Sequence, residues 1–282
     1  TFPNPLKSDN YIITIGVVLC RTNSTDMERF VFCLNDTDEK QVTENTKMFC
    51  FNDEQELLRA WRDFMVVDTD PDFITGYNIL GFDWKYFAHR AAETFKDPKI
   101  AKQFAEEETT ISDDEDEDVP KNPKPVQKKS NPKPVDDDEQ DSSSSEQSKT
   151  HIIGPGDPTS KEIGQTMSRF FRLSRIWAEI TPCIPKVFKS SAYGERWSYN
   201  FDMTGRAIQD LLVYVRRGHK LESYKLDNVS EHFLKDNKID LEPKLLFKYF
   251  ETGPRERGLI AEYCVKDCIL PIKLCKHSKL MV

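Results

Sequence analysis

The sequence lacks any run of about 18 apolar residues, and its longest apolar stretch, Tyr11 to Cys20, is interrupted by Thr14 and Gly16. A membrane-spanning helix is therefore not expected. Nor does a basic segment lead into a short apolar one, so no secretory signal is expected. The opening residues, Thr1-Phe2-Pro3-Asn4-Pro5, read as the interior of a longer protein, and the chain is taken as a fragment. Cysteine is present, but in a pattern that builds nothing covalent. The seven residues are odd in number, form no disulfide framework and show no paired C-x-x-C zinc spacing. Reduced thiols of an intracellular protein are expected. The five histidines are scattered without forming a metal pair, and no internal repeat is found.

What is present is enough for a core: 38% of the 282 residues are hydrophobic and 11% aromatic. One large domain or two small ones fit this length. The net charge of −8 at first argues against a polyanionic partner, but it is unevenly spread. Residues 105–166 hold 17 Asp/Glu against 7 Lys, a net of −10, so the rest of the chain carries +2. That acidic segment has no aromatics and is rich in Pro, Ser and like charges. It cannot bury enough surface to offset its ordering entropy, which predicts a disordered insertion splitting one domain. A solvated spacer and a phosphorylated or partner-binding segment both remain open readings of it. The expected organisation is therefore a first part over 1–104, the insertion over 105–166 and a second part over 167–282.

Residues 11–20 and 29–35 read as strands joined by a polar turn. Leu57, Leu58, Trp61 and Phe64 recur at helical spacing within 53–67, behind an acidic first turn. A strand over 72–78 and a helix over 82–95 follow. Strand, strand, helix, strand, helix is the grammar of helices packed on a sheet. Beyond the insertion, 185–205 suggests two strands with a turn near Ala192–Glu195. Helices are predicted over 206–217, 225–234 and 243–252. A last helix starts at Pro254 and runs to about His277, with Pro271 expected to kink it.

Two carboxylates stand apart from the many at the surface. Asp83 lies between Phe82 and Trp84 at the mouth of a predicted helix, where burial of a charge would be costly. Asp267 follows Tyr263 by four residues, which sets phenol and carboxylate on one helix face. Each has a plain alternative. Asp83 could simply favour a helix N-terminus, and Tyr263/Asp267 could be a helix-surface pair.

In combination, "GYNILGFD" (76–83) resembles the second exonuclease motif of the family B DNA polymerases, and "YCVKD" (263–267) resembles the third. The similarity extends through "DPDFITGYNILGFDWKYFAHRA", "VFKSSAYGERW", "GRAIQDLLVYVRRGHKLESYKLDNVSEHFL" and "RGLIAEYCVKDCILPIKL". Together these segments resemble the 3′→5′ exonuclease region of the delta-like branch, over most of 1–104 and 183–282. The resemblance implies an α/β, ribonuclease-H-like exonuclease domain, a mixed sheet flanked by helices, with its first strand missing. It implies a two-metal phosphodiesterase using Mg²⁺, for which Mn²⁺ can substitute, because hard cations take carboxylate oxygens. Asp83 and Asp267 would be metal ligands, and Tyr263 would orient the attacking water. Asn78 and Phe82 would hold the frayed single-stranded 3′ primer end of DNA. Position 262, a histidine in a related nuclease class, is Glu here, which favours the tyrosine subtype. A processivity clamp and accessory subunits are implied for the parent protein. So is a nuclear location if it is cellular, or an infected-cell replication compartment if it is viral.

The family's first motif, Asp-x-Glu on the opening strand before a Phe-Pro such as Phe2-Pro3, is not in this chain. Asp26-Met27-Glu28 and Asp113-Asp114-Glu115 have the right letters but do not follow a buried strand, and both are rejected. Half the expected metal ligands are then absent, so the chain alone is expected to be inactive. Asp210 is given a fold-supporting role. Arg216, Arg217 and Lys220 form either a phosphate contact or a solvated basic end. A stand-alone RNA-trimming exonuclease of the tyrosine subtype and a non-catalytic DNA-binding module are the competing readings.

Overall fold

A computed structural model describes residues 3–22, 24–95, 170–176, 179–190, 194–236 and 243–277. The expected acidic insertion lies outside these residues. The last described side chain before it and the first after it, Phe95 and Phe170, stack with centroids 4.3 Å apart.

Among the described residues the strands form three sheets. In the first, β1 (Thr14–Cys20) runs antiparallel to β2 (Met27–Leu34), and β2 runs parallel to β3 (Thr46–Phe51). In the second, β4 (Phe73–Gly76) pairs in parallel with β7 (Ala207–Asp210). In the third, β5 (Cys183–Ser190) and β6 (Gly194–Phe201) form a hairpin. The helices are α1 (Glu54–Asp63), α2 (Trp84–Thr94), α3 (Leu211–Gly218), α4 (Leu226–Leu234), α5 (Pro243–Thr252) and α6 (Pro254–Lys276). Mixed β-structure flanked by helices is thus the architecture. None of the described helices is long and apolar enough to cross a membrane.

Local sequence explains most of these boundaries. Asp53 caps α1 by accepting from the Glu56 N–H at 2.8 Å, and Leu57, Leu58 and Trp61 turn inward. Regular α-geometry stops at Asp63, short of the predicted 67, because the chain widens into a π-type turn over Phe64–Thr69. Pro254 opens α6 at a position whose N–H has no helical partner to lose. The helix continues through Pro271 to Lys276.

The core is aromatic. Phe30, Phe32, Trp61, Phe64, Trp84, Phe87, Phe170, Phe171 and Phe201 are all buried in one cluster. Trp61 meets Phe87 edge to face at 4.7 Å, as the ring quadrupoles prefer. A second cluster seats Ala261, Val265 and Ile269 of α6 on Val31 and Cys33 of β2. Near its end, Leu274 packs with Leu211, Val215 and Val229 of α3 and α4. Helix α6 therefore lies across β1, β2 and β4 and links the first sheet to the second.

Two expectations are corrected. The segment 206–217 is not one helix: Ala207–Asp210 extend as β7, and α3 begins only at Leu211. The cause is Asp210, whose carboxylate caps Leu212 from an extended backbone. Strand β3 was not anticipated. It is half-exposed and its register is set by β2, with Cys33 opposite Cys50.

Candidate nuclease site

The turn that follows β4 carries the first group of predicted site residues. Gly76 ends β4, and Asn78 adopts the left-handed conformation, φ 61 and ψ 24. Asparagine tolerates that region better than other side chains with a Cβ. A π-type turn over Ile79–Asp83 then leads into α2. At Gly81 inside it a Cβ would sit 2.5 Å from Asn78 Oδ1, so any other residue there would require the Asn78 side chain to shift.

Asp210 holds this turn from below. Its Oδ1 accepts the Asn78 N–H (2.8 Å) and the Leu212 N–H (2.9 Å), and its Oδ2 accepts the Leu80 N–H (3.1 Å). The side chain is buried, with 4% of the residue exposed. Burial pushes its pKa above the ordinary carboxylate value, and the three N–H bonds act in the opposite direction.

Asp83 is exposed, as are Asn78 and Phe82, whereas Trp84 is buried. Asp83 is therefore not buried between Phe82 and Trp84, and its charge stays in reach of solvent. Consecutive residues at a helix start point about 100° apart, so Trp84 enters the core and Asp83 faces out. Phe82, 45% exposed, lies roughly parallel to Tyr86 at 6.3 Å. Tyr86 donates to the Asn10 carbonyl at 2.8 Å.

Tyr263 and Asp267 are half-buried on α6. Their neighbours Cys264 and Cys268 face β1 at Gly16, where a Cβ would lie 3.0 Å from the Cys264 carbonyl oxygen and from both sulfurs. Glycine at 16 lets the helix approach that closely. The Cys268 thiol is held well above its usual range by its hydrogen bond with Cys264, by burial, and by negative charge at Cys264, Asp267 and Asp83. Asp83 and Asp267, distant in sequence, thus both lie within electrostatic reach of one thiol. Glu262 serves the fold instead. Its carboxylate accepts the Thr43 N–H at 2.7 Å and the Thr43 hydroxyl at 2.6 Å, fastening the loop before β3 to α6.

Among the described residues no group of three or more His, Cys, Asp or Glu side chains is placed to hold a metal ion. The two acidic site residues offer hard oxygen donors, which fit a hard divalent cation. Of the rejected Asp-x-Glu sequences, Asp26 precedes β2, and exposed Glu28 pairs with Lys47 at 3.4 Å. Asp113–Glu115 lie outside the described residues. The basic end of α3 contains Arg216, whose guanidinium lies over the Tyr224 ring at 5.4 Å.

Sequence reasoning did not assign Asp210 to the Asn78 turn, nor Glu262 to Thr43. The signal for Asp210 was its place as a helix cap four residues into an apolar run. Its long-range partners left no local trace.

The arrangement is that of a mixed α/β domain with one carboxylate, Asp83, ending a turn that presents an exposed aromatic ring, and another, Asp267, on α6. Residues 1–122 match the exonuclease domain of DNA polymerase family B. Similarity to DNA polymerase delta catalytic subunits runs further. It reaches 29% identity over 229 residues with that of Dictyostelium discoideum, covering 81% of this chain and 14% of the relative. The subunit of Glycine max is 29% identical over 224 residues, 79% of this chain and 14% of the relative. A DNA polymerase of Paramecium bursaria Chlorella virus NY2A is 36% identical over 118 residues, 42% of this chain and 13% of the relative. The first part of the chain is thus similar to the family B DNA polymerase exonuclease domain, and most of its length is similar to delta catalytic subunits. The chain spans about one-seventh of the length of these relatives.

Proposed function

We propose that this chain is most of the proofreading 3′→5′ exonuclease domain of a delta-like replicative DNA polymerase, with a ribonuclease-H-like fold. In the parent protein it would remove mismatched nucleotides from the primer terminus. Asp83 and Asp267 would bind two Mg²⁺ ions, or Mn²⁺ in their place, together with an Asp-x-Glu pair from a preceding strand. The ions supply charge stabilisation and a low-pKa water. Of this chain's own groups, the Tyr263 hydroxyl would orient the attacking water, Phe82 would stack on the unpaired terminal base, and Asn78 would contact the same end. A processivity clamp, accessory subunits and a nuclear or viral replication compartment belong to this reading through the parent protein.

The observation that carries the reading is the similarity to delta catalytic subunits, which covers about four-fifths of the chain. The test uses a 5′-labelled single-stranded oligonucleotide and Mn²⁺. The 282-residue chain should leave it intact. The parent protein should shorten it from the 3′ end, and Asp83→Ala or Asp267→Ala in the parent should cost more than the ~100-fold typical of losing an outer-sphere partner. A parent protein whose nuclease rate survives both substitutions would refute the assignment.

A further inference from the structure

We propose that Asp210 is a positioning residue of the carboxylate site, holding the Asn78–Asp83 turn and through it the place of Asp83. The inference rests on the reading of Asp83 and Asp267 as a metal-binding pair. As a helix cap alone, Asp210 would need one oxygen on the Leu212 N–H. It does more: both oxygens reach across some 130 residues of sequence to the Asn78 and Leu80 amides. Those two amides belong to the residues that start the turn, and Asp83 ends it. The Asn78 φ of 61 is the left-handed conformation that a fixed acceptor on its N–H can hold in place. Parallel pairing sets Gly76 opposite Asp210, so the strand register delivers the carboxylate directly beneath the turn. A carboxylate so buried has given up its water, and the three N–H groups replace it. The arrangement is that of an outer-sphere group fixing an inner one, typically worth 10–100-fold in metal affinity.

Asp210→Ser separates the two roles. Serine is about as good a cap for Leu212 as aspartate, but its single short hydroxyl cannot span to both Asn78 and Leu80. The measurement is a Mn²⁺ titration of the ¹⁵N-labelled 282-residue chain, read by paramagnetic broadening of the Asp83 and Asp267 amide signals, with hydrogen exchange on the same samples. In the wild type, both signals should broaden over one concentration range. In the D210S variant, the midpoint should rise about 10- to 100-fold, and the Asn78 and Leu80 amides should exchange faster while Leu212 stays protected. A wild-type midpoint in D210S overturns the proposal and leaves Asp210 a cap. Separate broadening ranges in the wild-type chain would instead sink the metal-pair reading itself, whatever exchange shows at Asn78. Should D210S not fold, D210N carries the test. It keeps the volume but turns an NH₂ toward the Leu80 N–H, so the same midpoint rise is expected, and an unchanged midpoint again overturns the proposal.

Discussion

Phe82, at the entrance to α2, and His89, within it, differ in exposure, and the difference separates what each can be asked to do. Phe82 is nearly half exposed and contributes little to the core, so Phe82→Ala should change folding stability by less than about 0.5 kcal/mol. If the ring is a stacking surface, the same substitution should weaken binding of a single-stranded 3′ end by about 1–3 kcal/mol, roughly 5- to 150-fold. Fluorescence anisotropy with a labelled oligonucleotide in Ca²⁺ measures this, and equal affinities would remove Phe82 from the DNA contact. His89 is the reverse case. It is buried, and burial, with Lys85 nearby, lowers its pKa from 6.5 to about 4. Below pH 6.5 the unfolded chain therefore binds a proton that the folded chain refuses. Stability contributed by keeping His89 neutral is full above pH 6.5 and lost as the pH falls toward 4, by an amount on the order of 3 kcal/mol. Urea melts at pH 7 and pH 4.5 should show this loss, and the aromatic swap His89→Phe should flatten it relative to the wild type. A parallel pH slope in both proteins would assign the acid sensitivity elsewhere.

The elements approach closely where α6 crosses β1. Gly16 admits the Cys264 carbonyl and the two sulfurs, and α6 carries Tyr263 and Asp267 on the same stretch. Gly16→Val should lift the helix off the strand. A stability loss of about 1–3 kcal/mol is expected for such overpacking, and the broadening of Asp267 by Mn²⁺ should weaken with it. An unchanged urea midpoint would mean that the contact is looser than its geometry implies. This crossing also marks where sequence becomes hard to read. The periodicity of α1 and α2 and the hairpin β5–β6 were legible because each is fixed by neighbours in the chain. Strand β7 was hidden, because Arg206-Ala207-Ile208-Gln209-Asp210 contains good helix formers and its partner β4 lies some 130 residues earlier. Strand β3 was hidden for a related reason: Thr46–Phe51 shows no clean alternation, and only pairing with β2 extends it. Of the candidate site, Asp83, Tyr263 and Asp267 are nominated by letters in motifs. The outward turn of Asp83 and the grip of Asp210 depend on contacts that no local pattern encodes.

At the scale of the whole molecule, distant segments are tied by a few buried polar groups. Arg206 donates to the carbonyls of Leu173 (3.0 Å) and Pro71 (2.8 Å), joining the chain before β4, the segment 170–176 and the entry to β7. Arg175 adds ion pairs to Asp70 and Asp72 at 3.0 and 2.8 Å. Glu54 and Arg90 form a buried pair that also fixes the N-terminal segment, with Arg90 donating to the Pro5 and Lys7 carbonyls and Glu54 accepting from Ile12. The two ends of residues 96–169 meet at the Phe95–Phe170 stack, inside the aromatic core. The fold therefore holds together the two residues, Phe95 and Phe170, between which the acidic stretch lies in the sequence. Folding must bring Phe95 and Phe170 together, and the closure entropy grows only logarithmically with the length of chain between them. Replacing residues 105–166 by a ten-residue Gly/Ser linker should leave the fold intact and raise stability by about 1 kcal/mol. It would also change the net charge of the chain from −8 to about +2. The shortened protein should then bind single-stranded DNA more tightly at low salt, with the difference fading as salt screens it. Urea melts and salt-dependent anisotropy of both proteins measure these effects. A collapse of the melting transition on excision would show that the acidic segment is part of the folded unit.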